Sequence, residues 1–141
     1  MSCYPVRHEK GGQQMNRYES FCEELFPTLY KVAYLITGDS SASSDLAVST
    51  VVQGVHRQRS IKSLADARIE LMRILYMECM ATRFTPGCGK VAALDHSDRC
   101  LVVFRHCSGL HFKDFCLITG LSAKQAHTNL IKAASVIQLF R

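Results

Sequence analysis

Apolar residues recur along most of this chain at spacings of three and four, the repeat that lines one side of an α-helix, and no sustained two-residue alternation of the strand type interrupts them. The first run, Phe21, Leu25, Leu29, Val32, Ala33 and Ile36, predicts an amphipathic helix. Asn16 with Glu19 has the form of a capping box at its start, Pro27 should kink it and Gly38 should stop it. Asp39 or Ser40 can cap a second helix, with Leu46, Val48, Val51, Val52 and Val55 as its apolar face. Those β-branched residues also suit a strand, but the run from Ser41 to Arg59 has no break at strand length, which favours helix. A third helix starts between Ser63 and Asp66 and carries Leu64, Ala67, Leu71, Ile74, Leu75 and Cys79 on one side, to about Arg83.

Thr85-Pro86-Gly87-Cys88-Gly89-Lys90 then ends the periodicity, and three shorter helical patterns follow: Asp95 to Cys107, His111 to Thr119 and Ser122 to Phe140. The expected fold is all-α with two small helical domains. A flexible arm is expected over residues 1–15, a three-helix domain over 16–84, a linker over 85–93 and a helix-turn-helix domain over 94–141. The linker should let the two domains move independently. Neither is large enough for more than a modest core, so each can draw on a partner.

Composition agrees with a folded protein: of 141 residues, 48% are hydrophobic and 21% charged. The longest uncharged run, Leu46 to Val55, falls short of the roughly 18 apolar residues that span a bilayer, and no apolar stretch follows the Arg7-His8-Glu9-Lys10 cluster. Neither a secretory signal nor a membrane anchor is expected. Seven cysteines without a C-x-x-C then read as reduced thiols in a cytoplasmic protein. The net charge of +5 is uneven, with +1 over residues 1–16, zero over 17–84 and +4 over 85–141. A basic segment of that kind suits a polyanionic partner.

The most informative stretch runs from His111 to Ala133. Gly120 tolerates the positive φ of a sharp turn, Ser122 can cap the next helix, and Gln125 completes a capping box. Phe112, Phe115, Cys116, Leu121, Ala126 and Leu130 fall where the two helices of a helix-turn-helix face each other. Lys113 and Lys132 supply cations for phosphates, Lys124, Gln125, Thr128 and Asn129 fall nearest the base edges, and His127 belongs to the same polar, DNA-contacting face. The same spacing also fits an ordinary helical hairpin with a solvated face.

Leu94 through Arg141 resembles region 4 of bacterial RNA polymerase sigma factors. The resemblance lies in Leu101-Val102-Val103-Phe104-Arg105, Gly109-Leu110, Phe112-Lys113-Asp114-Phe115, Thr119-Gly120-Leu121-Ser122 and Thr128-Asn129-Leu130 with Ala133. Leu29-Tyr30-Lys31-Val32-Ala33-Tyr34-Leu35-Ile36-Thr37-Gly38-Asp39, followed by Ser44-Asp45-Leu46, is similar to the opening of region 2 in the extracytoplasmic-function sigma factors. The resemblance implies a region 2-like half that docks on core RNA polymerase around Asp45, a region 4-like half that binds duplex promoter DNA, and an anti-sigma protein as a further partner. Two departures stand out. Leu46-Ala47-Val48-Ser49 replaces a Leu-Val-Gln-Glu type sequence, and Glu70 to Met77 lacks the tryptophan and asparagine of the family's Trp-Leu-x-x-Ile-Ala-x-Asn pattern. Promoter opening is therefore not implied by these residues, and the alternative is a degenerate sigma-like module that binds a regulatory partner.

Cys100, His106, Cys107, His111 and Cys116 lie close in sequence but lack the paired spacings of a zinc site, and Cys100 and Cys107 read as small core residues. Cys88, beside Lys90, could be an exposed redox-sensitive thiol, with an inert linker cysteine the simpler reading. No phosphate-binding glycine loop, metalloprotease motif or nucleophile elbow occurs, so neither a catalytic function nor a cofactor is expected.

Overall fold

The computed structural model of the protein describes residues 10–57, 63–82 and 89–139. They form six α-helices and one 3-10 turn, with no strand among the described residues. The first helix, α1, spans Lys10–Thr37. It begins earlier than the Asn16 capping box suggests, so the segment expected as an arm is helical from Lys10 onward. The helix also runs without a break through Pro27. Pro27 is exposed, so the carbonyl that loses its partner there can turn to water. Gly38, with φ of 69°, ends α1 and donates its N–H to the Tyr34 carbonyl at 2.8 Å.

Asp39 caps α2 (Ser40–His56), its carboxylate accepting from the Ser41 and Ala42 N–H groups. The buried face of α2 keeps the expected Leu46 and, in part, Val51 and Val55, but not Val48 and Val52. Ser43, Leu46, Ala47, Thr50 and Gly54 are buried, Val51 and Val55 only partly so, and Val48 and Val52 are each 49% exposed. Burial of the hydroxyls costs little because each bonds within the helix: Ser43 Oγ donates to the Asp39 carbonyl (2.7 Å) and Thr50 Oγ1 to that of Leu46 (2.8 Å). Small residues bring α2 close to its neighbours. A Cβ added at Gly54 would lie 2.5 Å from both Leu71 Cδ2 and the Tyr18 hydroxyl.

Ser63 caps α3 (Leu64–Ala81) by accepting from the Asp66 N–H. Beyond the expected Ala67, Leu71, Ile74, Leu75 and Cys79, this helix also buries Met72 and Tyr76. It is therefore covered on two sides, the second by α4 (His96–Cys107) and α5 (Phe112–Thr119). The Tyr76 ring meets that of Phe104 edge-on at 5.2 Å. Residues Gly89–Ala93 form the 3-10 turn and α6 spans Ala123–Leu139.

Where two separately cored domains are expected, the packing differs: one cluster of buried side chains runs from Tyr18 on α1 to Ala126 on α6. Polar bonds also cross between the two halves. Arg99, 4% exposed, donates to the Ile36 carbonyl at the end of α1 (3.4 Å) and to those of Leu94 (2.9 Å) and Val91 (3.3 Å). His96 Nε2 donates to the Cys79 carbonyl (2.7 Å), and Arg68 to that of Ser108 (3.1 Å). Of the three carbonyls, that of Ile36 lies in the other half, so parting the halves would leave the buried guanidinium one bond short. Residues 83–88, which hold the first part of the expected linker and Cys88, lie outside the described residues.

Candidate nucleic-acid interface

The helix-turn-helix is built from α5, a three-residue turn and α6. Gly120 at the end of α5 has φ of 77° and donates its N–H to the Cys116 carbonyl at 2.9 Å. No heavy atom lies within 4 Å of where its Cβ would be, so backbone conformation rather than space calls for glycine. The capping box expected from Ser122 and Gln125 is present: the Gln125 N–H donates to Ser122 Oγ (3.1 Å) and the Ser122 N–H to Gln125 Oε1 (3.0 Å). Phe115 and Ala126 are fully buried at the crossing, and Phe112, Cys116, Leu121 and Leu130 pack against them in part. Ala133, with Leu94 and Val102, anchors the later part of α6 on α4.

With this face fixed inward, Lys124, Gln125, Thr128 and Lys132 are exposed and Asn129 is half-buried at their edge. Their i, i+1, i+4, i+5 and i+8 spacing puts all five on one side of α6. Gln125 commits its carbonyl oxygen to the cap, which leaves the amide nitrogen as its donor towards a base. Lys132 sits near enough to Asp98 on α4 to lower its carboxyl pKa. Burial and the neighbouring Asp95 outweigh that influence, and the Asp98 pKa is raised. Lys113 is exposed on α5.

His127 departs from the expected row. Its ring is exposed on the other flank of α6 and stacks on Phe112, with centroids 4.6 Å apart and an interplanar angle of 30°. Phe112 also receives the Arg105 guanidinium, 5.3 Å from the ring centroid. Sequence reasoning did not pick out Arg105 or Phe112 as interface residues. Arg105 lies 22 residues before His127, and only the turns after α4 and α5 together bring the two to one ring.

Asp45 belongs to neither group. It is exposed on α2, nearly two turns after the capping Asp39, and has no part in that cap. The cysteines weighed for a metal are core groups instead. Cys100 is fully buried beside His96, and Cys107 and Cys116 are half-buried against the core. Burial pushes the Cys100 thiol up to about 12 and the Cys79 thiol up as well, so both stay protonated. Comparison with protein-family models, with curated proteins and with solved structures gives no match. No helix among the described residues is long and apolar enough to cross a membrane.

Proposed function

We propose that the chain is a DNA-binding transcription initiation factor resembling an extracytoplasmic-function sigma factor, acting in the cytoplasm on core RNA polymerase and duplex promoter DNA. The observation that carries this reading is the α5–Gly120–α6 unit, whose closed capping box and buried Phe115–Ala126 crossing hold Lys124, Gln125, Thr128, Asn129 and Lys132 outward as one row. A row of ammonium, amide and hydroxyl groups on a rigid helix matches the mixed demands of a major groove, with cations for phosphates and amides for base edges. Lys113 adds a phosphate contact from α5. The resemblance of Ser44-Asp45-Leu46 and the stretch before it to the opening of region 2 supports docking through α2 around Asp45.

Selection from a random duplex library tests the reading. The full chain should enrich a defined sequence, and Asn129→Ala or Lys124→Ala should blunt that preference. Lys132→Ala should weaken all duplexes alike. Enrichment of nothing above background would reject it.

One observation favours a second reading, a sigma-like module that holds a regulatory protein such as an anti-sigma partner. Val48 and Val52 protrude from α2 beside a groove lined by Cys22, Phe26, Val51 and Val55 together with Glu19 and Glu23. An apolar ridge where the family carries polar groups suits a protein surface better than strand opening. Capture of core polymerase by the unmutated chain separates the two: detectable binding supports the initiation factor, and none leaves the module.

A further inference from the structure

Three of the six histidines, His106, His111 and His127, fall between Arg105 and Lys132, where four lysines and arginines face a single carboxylate, Asp114. The sequence scatters these groups, and the fold draws two of them, Arg105 and His127, to one ring. Phe112 carries the His127 imidazole from α6 and the Arg105 guanidinium from α4, while its chain neighbours His111 and Lys113 are both exposed. Phe115, fully buried, lies behind it with ring centroids 6.0 Å apart. An anchored ring that restrains an arginine and a histidine lowers the side-chain entropy they would lose on gripping a ligand.

No ion pair among the described residues engages Arg105 or His127. The charged and titratable groups nearby are Arg105 and His106 on α4, His111, Lys113 and Asp114 at α5, Lys124 on α6 beside His127, and Arg68, which reaches the α4–α5 turn from α3 and donates to the Ser108 carbonyl. Asp98 lies on the other flank, towards Lys132.

We propose that Arg105 and His127, held on the Phe112 ring, together with the exposed His111 and Lys113 on either side of Phe112 in the chain, form a second phosphate-contacting surface next to the Lys124–Lys132 row, and that its two imidazoles link duplex DNA binding to proton uptake. This rests on the reading of the chain as a duplex-binding factor. A phosphate stabilises an imidazolium over a neutral imidazole, so DNA raises proton affinity and, by reciprocity, protons raise DNA affinity. Affinity therefore increases as pH falls through the range where histidine ordinarily gains its charge, around 6.5.

The test titrates the full chain into a fluorescent random-sequence duplex at about pH 6 and about pH 8, either side of that range, at matched ionic strength. Binding should be tighter on the order of tenfold at the lower pH, and its salt dependence steeper by about 0.9 in log–log slope for each imidazolium in contact. His111→Gln with His127→Gln, both at exposed positions, should remove the pH difference, and Arg105→Gln should weaken binding at both values while keeping their ratio. Equal affinity of the unmutated chain at both values overturns the proposal alone, as does a double variant that retains the full ratio. Absence of duplex binding at either pH overturns the DNA-binding reading and the proposal with it. Should the double variant fail to fold, the ring-proton resonances of the unmutated chain give the answer: those of His111 and His127 titrate at higher pH with duplex present, and unchanged midpoints overturn the proposal.

Discussion

Gly54 and Gly120 are both glycines for reasons that their replacement should separate. At Gly54 the backbone is helical and alanine would raise helix propensity, but its methyl group would meet Leu71 and Tyr18 at 2.5 Å. Gly54→Ala should cost about 1–3 kcal/mol in urea unfolding, the usual price of overpacking. Gly120→Ala meets nothing, and its positive φ alone should cost roughly 1 kcal/mol. Two aspartates on α2 divide in the same manner. Asp39→Ala should lose about 0.5–2 kcal/mol, because Asp39 holds the helix cap. Asp45→Ala should change stability by less than about 0.5 kcal/mol while weakening binding to core polymerase. An equal fall in stability from both would remove the case for Asp45 as a contact. Of the interface residues, those on α6 were legible from the helical period, since Ala126 and Leu130 mark the inner face and place Lys124 and Thr128 opposite. Arg105 was not legible, because no local pattern relates a residue on α4 to a ring on α5.

Helix identity was written into the sequence more plainly than helix orientation. The starts of α2, α3, α4 and α6 follow from Asp39, Ser63, Asp95 and the Ser122–Gln125 box, each of which satisfies an N–H of the first turn that would otherwise lack a partner. The buried face of α2 is only partly legible, since a count of valines takes no account of hydroxyls that bond within their own helix. Ser43 and Thr50 do so, and their small size sets the spacing to α1 and α3. The α2–α3 contact also has a polar clasp: Glu70 accepts from Arg57 (3.1 Å) and from Arg73 (2.7 Å), and Gln53 donates to Glu78. Burial would raise the Glu70 pKa, but the hydrogen bonds from Arg73 and Arg57 outweigh it and the pKa is lowered. A lowered folded pKa contributes stability that is present above the ordinary glutamate value, near 4.3, and is lost as pH falls through the folded value. Glu70→Gln should therefore be less stable than the unmutated chain at neutral pH, with the difference shrinking in acid. A difference independent of pH would contradict the clasp.

At the scale of the whole molecule, the Pro-Gly segment after Arg83 reads as a hinge because a sequence shows where helices end and not what covers them. Leu101 and Phe104 are buried in the same core as Leu29 and Leu75, and Arg99 bonds to the last turn of α1. The slowest amides of α1, α3, α4 and α5 should accordingly exchange with one common opening free energy, and Arg99→Leu should lower all of them by on the order of 3 kcal/mol. Two distinct opening energies would mean that the halves unfold separately. Whichever holds, the donor row of α6 faces away from the shared core, so duplex binding requires no parting of the halves. The most direct measurement of that binding is titration of the full chain against duplex DNA over a series of salt concentrations. With Arg105, Lys113 and Lys132 on phosphates, the logarithm of affinity should fall linearly with that of salt, with a slope of about −3. No binding even at the lowest salt would contradict the account.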